Sequence, residues 1–444
     1  MQDLRAEVKA LRAENAELRA RLNLDSSNSS KPPSSDPPWK APSERKQGRK
    51  RGGQPGHRGH RRELVDHPDD VVDHRPESCR RCNQALSGDD PSPFRHQITE
   101  LPQVAAKVTE HRVHTLRCGN CGKHTVGKLP AGVPRSAFGA RLQSIVAVCS
   151  GAYRMSKRSI VELLRDCFGV EISLGAISRV ERQVSTVLVR PVQEAQAHVA
   201  NARVVHVDET GWFIRALRAW MWTAVTARVA VFMIRRSRSR ETSHELVPRS
   251  FRGVTVADGY AAYDWIHPER RQLCWAHLIR NFRGLLELGD VAKAFAQRML
   301  DAIGRMFDRW HLVRGGRVAE VSLALQPSRD EIHALLEDGI RSEVDQVRRM
   351  CKGLLRRESS LWTFSRRHDV EPTNNAAERA LRPAVLWRKG SFGTDSETGS
   401  RFVERILTVV TSLRLQGRHV LGYLIDAFRA SLAAAPSPPI WIHP

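Results

Sequence analysis

The sequence predicts a multidomain α/β protein, in which a sheet-bearing domain with a helical insertion follows a series of smaller elements. Three observations carry that expectation. A leucine heptad opens the chain, two Cys-x-x-Cys pairs lie at residues 79–82 and 118–121, and apolar strand-like runs begin only after residue 203. The 444 residues leave room for roughly two to four domains. Hydrophobic residues make up 41%, enough for real cores, which argues against global disorder.

Leu4, Leu11 and Leu18 repeat every seven residues, and Val8, Asn15 and Leu22 fill the alternate seam position. This a/d pattern, with Asn15 as its one polar a residue, predicts a coiled-coil dimerisation helix over residues 1–25. The charged start, MQDLRAEVKALRAENAEL, does not read as a signal peptide. NSSKPPSSDPP (28–38) cannot build a core, and RKQGRKRGGQPGHRGHRR (45–62) interleaves Lys and Arg with Gly. Residues 26–65 therefore read as a disordered basic linker whose Arg49, Lys50, Arg51 and Arg58 lie along phosphates. The net charge of +23 points to a polyanionic partner, with nucleic acid the leading class. No run of about 18 apolar residues is present, so no membrane span is expected.

The expected compartment is the cytoplasm, where clustered cysteine pairs bind metal rather than form disulfides. The two Cys-x-x-Cys knuckles, separated by a hairpin-like segment (HQITELPQVAAKVTEHRVHTLRC), offer the tetrahedral thiolate set that zinc prefers. Cys79, Cys82, Cys118 and Cys121 are thus expected to hold a structural Zn2+ in a ribbon over residues 66–132. The scattered Cys149, Cys167, Cys274 and Cys351 read as small buried apolar residues, and Cys274 and His277 of CWAH as core packing. Residues 135–195 read as helical. Ser156 is a plausible N-cap, Phe168-Gly169 a turn, and a second capped helix starts near Ser173. That is a helix-turn-helix outline whose second helix suits a major groove.

From Arg203 the character changes. VVHVDETGWFIRA, WMWTAVTA and VAVFMIRR read as strands, SRETSHELV as a short helix, and GVTVADGYAAYDWI as a strand ending at Asp258. Three strands, a helix and a fourth strand match the order of an RNase H-like fold, in which Asp208 and Asp258 would be neighbours. Two divalent ions held roughly 4 Å apart by carboxylates can activate an attacking oxygen and steady a leaving one, and the hard Mg2+ (or Mn2+) takes oxygen ligands. The third carboxylate candidate is Glu378, 120 residues downstream of Asp258, in EPTNNAAERALRP. Taken alone, Glu378 also reads as a surface residue paired with Arg382. Arg379 and Arg382 follow at helical spacing, and Arg388 and Lys389 lie in a basic loop; all four are candidate DNA contacts. Residues 200–284 are the first part of this domain, 285–365 a helical insertion, 366–430 the completion and 431–444 a tail. Glu209, next to Asp208 on a strand, points to the opposite face. Trp212 and Trp265 read as packing residues.

In order along nearly the whole chain, NSSKPPSSD, GGQPGHRG, the paired CxxC motifs, HVDETGW, ADGYAAYD, CWAHLIRNF and NNAAERALRP resemble a transposase of the insertion sequence 66 family. The resemblance implies a DDE-type enzyme, with Asp208 and Asp258 in the aspartate roles and Glu378 in the glutamate role. It implies hydrolysis at the ends of a mobile element, freeing a 3′-hydroxyl that then attacks target DNA. Double-stranded DNA, a second copy of the chain and small accessory proteins of the same element are the implied partners, in a bacterial, nucleoid-associated setting. Where the family motif commonly has two adjacent basic residues after CWAH, this chain has Leu278-Ile279-Arg280-Asn281. Two competing readings are a non-enzymatic zinc-containing DNA-binding protein and a structure-selective RNase H-like nuclease that cuts without joining.

Overall fold

The computed structural model describes Glu7, Val8, Asp25 and residues 62–442. Glu7 and Val8 are helical; the rest of the expected coiled coil, and the linker with Arg49, Lys50, Arg51 and Arg58, lie outside the described residues. The chain divides into two compact units, Ala41–Ala106 and the remainder.

In the smaller unit, residues 62–106 run without a helix or a multi-residue strand. The Gln97 side chain ties to the Val65 backbone, accepting from its N–H and donating to its carbonyl. An isolated bridge between Ser78 and Ala85 closes a tight loop around Cys79 and Cys82.

After Lys107 the larger unit resumes with a short hairpin, β1 (Thr115–Arg117) and β2 (His124–Val126). The hairpin expected between the two cysteine pairs instead forms around the second pair, with Cys118 and Cys121 in its turn. Ile98, Leu101 and Val108 in the expected hairpin are 82–89% exposed, so no buried face supports pairing there.

The expected helical region follows. α1 (Ala140–Ala147) runs into a single π-helical turn, Val148–Ala152. Ser156 accepts the Ser159 N–H at 3.0 Å and opens α2 (Lys157–Phe168); Gly169, with φ of 62°, closes it. Ser173 accepts the Ala176 N–H at 3.2 Å and opens α3 (Leu174–Val187). Ile160, Leu164, Ile177, Val180 and Val184 turn inward, which leaves Arg179, Arg182 and Thr186 on the exposed side of α3. α4 (Val189–Ala200) leads to the sheet.

The sheet comprises β3 (Val204–Ile214), β4 (Leu217–Val225), β5 (Ala230–Arg235), β6 (Val254–Ala257) and β7 (Arg271–Leu273), with α5 (Arg240–Leu246) between β5 and β6. Its order is β5-β4-β3-β6-β7. The first three run antiparallel, while β6 and β7 pair in parallel with their neighbours. Arg215 and Ala216, both at positive φ, make the two-residue turn from β3 to β4, matching the right-handed twist of the strands. One feature differs from the sequence reading. β7, only Arg-Gln-Leu, is a fifth strand too short to show a period. β3 continues past Asp208 to Ile214, yet only Val204–His206 pair with β6. Asp208 therefore stands mid-strand, just beyond the end of the parallel ladder.

The expected helical insertion, residues 285–365, holds α7 (Asp290–Val313), α8 (Val318–Gly339), α9 (Asp345–Leu355) and the start of the short α10 (Thr363–Arg366); α6 (Trp275–Leu285) precedes it, at the end of the first part of the sheet-bearing domain. The core of the insertion is continuous with the sheet, because Val254, Val256 and Leu273 belong to it. α11 (Asn375–Ser391), α12 (Glu397–Leu415) and α13 (Val420–Leu432) complete the first core together with α1–α4 and the remaining strands. At Gly151 an added Cβ would meet Ile406 Cγ1 at 2.2 Å, so the π turn and α12 pack backbone against side chain. Of the cysteines expected to be buried, Cys149, Cys274 and Cys351 are, whereas Cys167 at the end of α2 is exposed. Its neighbours Arg165 and Asp166 are exposed as well, so that part of the last turn of α2 faces water. Among the described residues, no helix is long and apolar enough to cross a membrane.

α12 covers the outer edge of β5. Ser412 Oγ accepts the Ala230 N–H at 3.0 Å, Thr408 Oγ1 accepts that of Phe232 at 3.0 Å, and a Glu404 carboxylate oxygen accepts that of Ile234. Acceptors four residues apart on a helix match donors two residues apart on a strand, since both rise by about 6 Å. Thr408→Val keeps the shape but orphans the buried Phe232 N–H, so it is expected to cost about 1–3 kcal/mol in denaturant unfolding, with the m-value unchanged.

Candidate active site

Three elements that are distant in sequence meet beyond the end of the parallel ladder. β3 brings Asp208, the loop after β6 brings Asp258, and the early turns of α11 bring Glu378. Burial pushes the Asp208 carboxyl well above its usual range, and Glu209, Asp258 and Glu378 each push it further. Asp258 and Glu378, 120 residues apart, thus both bear on one carboxyl.

Asn374 is what brings α11 to β3. Fully buried, it donates through Nδ2 to Val207 O at 2.7 Å and pairs through Oδ1 with His206 Nδ1 at 3.2 Å. Its own backbone N–H donates to Cys274 Sγ at 3.1 Å. Val207 lies just past the last β3–β6 pair, so the side chain of Asn374 continues the strand's hydrogen bonding where β6 has stopped. Glu378 follows one turn later, its N–H bonded to Asn374 O at 3.2 Å.

Glu378 does not pair with Arg382. Arg280 Nη2 of α6 donates to its Oε1 at 3.3 Å, and His277 Nδ1 lies 3.6 Å from the same oxygen. The ligand atoms of Cys274, His277 and Glu378 all fall within 4.8 Å of one another. Burial pushes the Cys274 thiol up to about 11, so it serves Asn374 as a neutral acceptor rather than as a thiolate. Burial first, and then Arg280, hold the His277 imidazole below its usual range, so a neutral ring faces Glu378. Cys274 packs as the sequence suggested; His277 instead joins the carboxylate cluster.

The Asp258 loop is held from beneath. Arg271, almost fully buried, donates to Asp258 O at 2.8 Å, Tyr260 O at 3.3 Å and Asp264 Oδ1 at 2.6 Å. Arg357, at the end of the insertion, adds bonds to Asp264 Oδ1 and Gly259 O. The Tyr260 N–H donates to Asp258 Oδ1 at 2.9 Å. Glu209, as strand alternation requires, turns away from Asp208 to Arg238 and the Tyr263 hydroxyl, 2.7 Å away. Burial and then Asp258 raise its carboxyl, against the pull of Arg238.

Arg379, Arg382 and Lys389 stand exposed on α11, as DNA contacts would require. Arg388 does not: its Nη1 donates to Thr210 Oγ1 and Gly211 O and pins α11 to β3. Three turns along α11 from Glu378, that side chain lies over the strand rather than over solvent. Trp212 is fully buried, and Trp265 is half-buried with its indole N–H on Ser243 Oγ, both packing as expected.

The two cysteine knuckles are built alike. Cys79 N–H donates to Gln84 O and Cys118 N–H to Lys123 O, both at 2.8 Å. The residue four positions after each first cysteine donates back to that cysteine's carbonyl from a left-handed backbone: Asn83 at φ 61° and Gly122 at φ 71°. In each knuckle, backbone N–H groups of the loop hold the first thiol below its usual range: Arg81 and Cys82 for Cys79, Cys121 and Asn120 for Cys118. Donors aimed at sulfur are what a zinc thiolate needs.

Asn374, His277, Arg271 and Arg238 were not identified from the sequence. Only the doublet Asn374-Asn375 before a helix and the CWAH motif hinted at two of them.

The model of the Transposase IS66 family matches residues 135–401, which hold α1–α11, the whole five-stranded sheet and all three clustered carboxylates. Residues 1–63 match a family of unknown function (DUF6444). Among curated proteins, the uncharacterized protein y4hP of Sinorhizobium fredii is 25% identical over 406 residues, covering 81% of this chain and 72% of that protein. The uncharacterized protein y4qI of the same organism is 25% identical over 393 residues, covering 79% and 69%. With more than half of its length matched, the chain belongs to the IS66 family of transposases.

Proposed function

We propose that this transposase works by DDE-type phosphoryl transfer, cleaving the ends of its element and joining them to target DNA. One observation carries the reading: Asp258 and Glu378 both act on the half-buried carboxyl of Asp208. The strand order β5-β4-β3-β6-β7, with three antiparallel and two parallel partners, supports an RNase H-like domain. In such a domain the first and fourth strands carry the two aspartates.

The donor set fits a hard divalent cation. Asp208, Asp258 and Glu378 would supply carboxylate oxygens; burial and then the neighbouring negative charges raise the Asp208 carboxyl, and a bound cation would offset both. Bound there, magnesium or manganese would supply the Lewis-acid charge for in-line displacement at phosphorus. The chain's own residues do the rest. Arg280 orients Glu378 with the neutral ring of His277 beside it, Arg271 fixes the backbone of Asp258, and Arg238 balances Glu209. Arg379, Arg382 and Lys389 offer exposed charge for the DNA backbone. We assign structural zinc to Cys79, Cys82, Cys118 and Cys121 on the knuckle geometry of each pair. Double-stranded DNA as partner, dimerisation through residues 1–25, and accessory proteins complete the proposal.

Asp208→Asn, Asp258→Asn and Glu378→Gln are each expected to abolish strand transfer of a labelled element end while leaving DNA affinity within about twofold. Transfer surviving in all three overturns the assignment, and cleavage without joining would make the protein a nuclease. The buried crowding also predicts a stability signature. Without added magnesium, Asp208→Asn should melt roughly 2 °C or more above the parent, and magnesium should raise the Tm of the parent but not of the variant. Elemental analysis of the purified chain should find about one zinc per chain, lost in Cys79→Ser and in Cys118→Ser.

A further inference from the structure

One side of the β3–β4 ribbon carries a stack whose outer end, Arg218 and Trp220, the reaction so far leaves unused. The Arg218 guanidinium lies 4.8 Å from the centre of the Trp220 ring, and Arg238 lies 4.6 Å from the same ring. Arg238 also lies 3.7 Å from the centre of the Tyr260 ring. The four side chains form one ladder, Arg218–Trp220–Arg238–Tyr260. Gly211 is the β3 residue paired with Trp220, so no β3 side chain covers the ring, and the guanidiniums can reach it. The inner end is rigid. Glu209 takes the Nε and Nη2 edge of Arg238, and Tyr260, whose N–H holds Asp258, donates its hydroxyl to Arg238 O. The outer end is open. Arg218 is exposed, and among the described residues its guanidinium makes no hydrogen bond or ion pair.

We propose that this ladder is a phosphodiester track, along which a DNA strand runs toward Asp208 and Asp258 with a backbone phosphate on Arg218. A guanidinium stacked flat on an aromatic ring keeps its N–H edges pointing outward, in the fork that matches phosphate oxygens. Stacking also removes most of the rotamer freedom that a lone surface arginine would lose on binding. The chemistry is positive and planar, and the ladder ends on the residue that fixes a candidate catalytic carboxylate. A nucleic-acid strand entering the site fits it in charge and in position. The inference rests on the reading of the site as one that acts on DNA.

The test is binding of a fluorescein-labelled single strand, and of the duplex of the same sequence, to the full chain across a salt series without added divalent ion. Arg218→Ala is expected to weaken binding about threefold to tenfold and to lower the salt slope by about one. Arg218→Lys should keep the slope but recover only part of the affinity, because an ammonium cannot stack flat. A loss confined to the single strand means that the track takes unpaired DNA; a loss with both probes means that it takes duplex backbone. Unchanged affinity and slope with both probes overturn the proposal, and so does full recovery by lysine, which would reduce the ladder to a point charge. Because no cleavage is read, the result stands apart from the catalytic reading. If the carboxylate variants kept full transfer while Arg218→Ala lost the slope, the track would survive and the catalytic assignment would not.

Discussion

The meeting of β3, α6 and α11 at the candidate site depends on one residue, Asn374. A parallel ladder that stops after three residues leaves the next carbonyl of β3 without a strand partner, and a buried carbonyl without a partner costs about 1–3 kcal/mol. Asn374 fills that vacancy, and through its backbone it also reaches Cys274 at the start of α6. One buried amide therefore fixes the strand that carries Asp208, the helix that carries His277 and the helix that carries Glu378. The carboxylates repel one another, so the network that gathers them must be stabilised by interactions elsewhere.

The insertion is part of that support. Gln272 spends its side chain on Leu273 O, Leu361 O and the Phe364 N–H, and Trp275 donates to Leu361 O. These bonds return the chain to the sheet after the excursion, so that Pro372 can accept the Trp275 N–H and Asn374 can dock. Arg357, from the same return segment, grips the Asp258 loop. Sequence length between Asp258 and Glu378 is thus no measure of their separation in space.

The legible parts of the sequence were those written in local periods and in chemistry. Helix caps at Ser156 and Ser173, the apolar runs of β3 to β6 and the helical repeat of the insertion all declare themselves within a dozen residues. Asp208, Asp258 and Glu378 stood out because carboxylates next to apolar runs need an explanation. β7 was invisible because three residues hold no period. The hairpin expected over residues 96–118 forms instead around the second cysteine pair, because Ile98, Leu101 and Val108 have no core to face. Arg388 read as a DNA contact because its neighbours are basic; only the fold shows that its side chain reaches back to β3. Asn374 could not be recognised, since a polar residue before a helix ordinarily signals a cap and nothing more.

Both margins of the sheet are closed by side chains from later in the chain. α12 supplies a hydroxyl, a hydroxyl and a carboxylate to the outer N–H groups of β5, while the Thr363 hydroxyl donates to Arg271 O and the Gln272 side chain accepts the Phe364 N–H, which knits β7 to the end of the insertion. An open margin is a template on which any extended peptide, including a second copy of the same strand, can continue the ladder. Here that template is withheld. The five-stranded sheet stays a private framework that crowding cannot splice into a fibre.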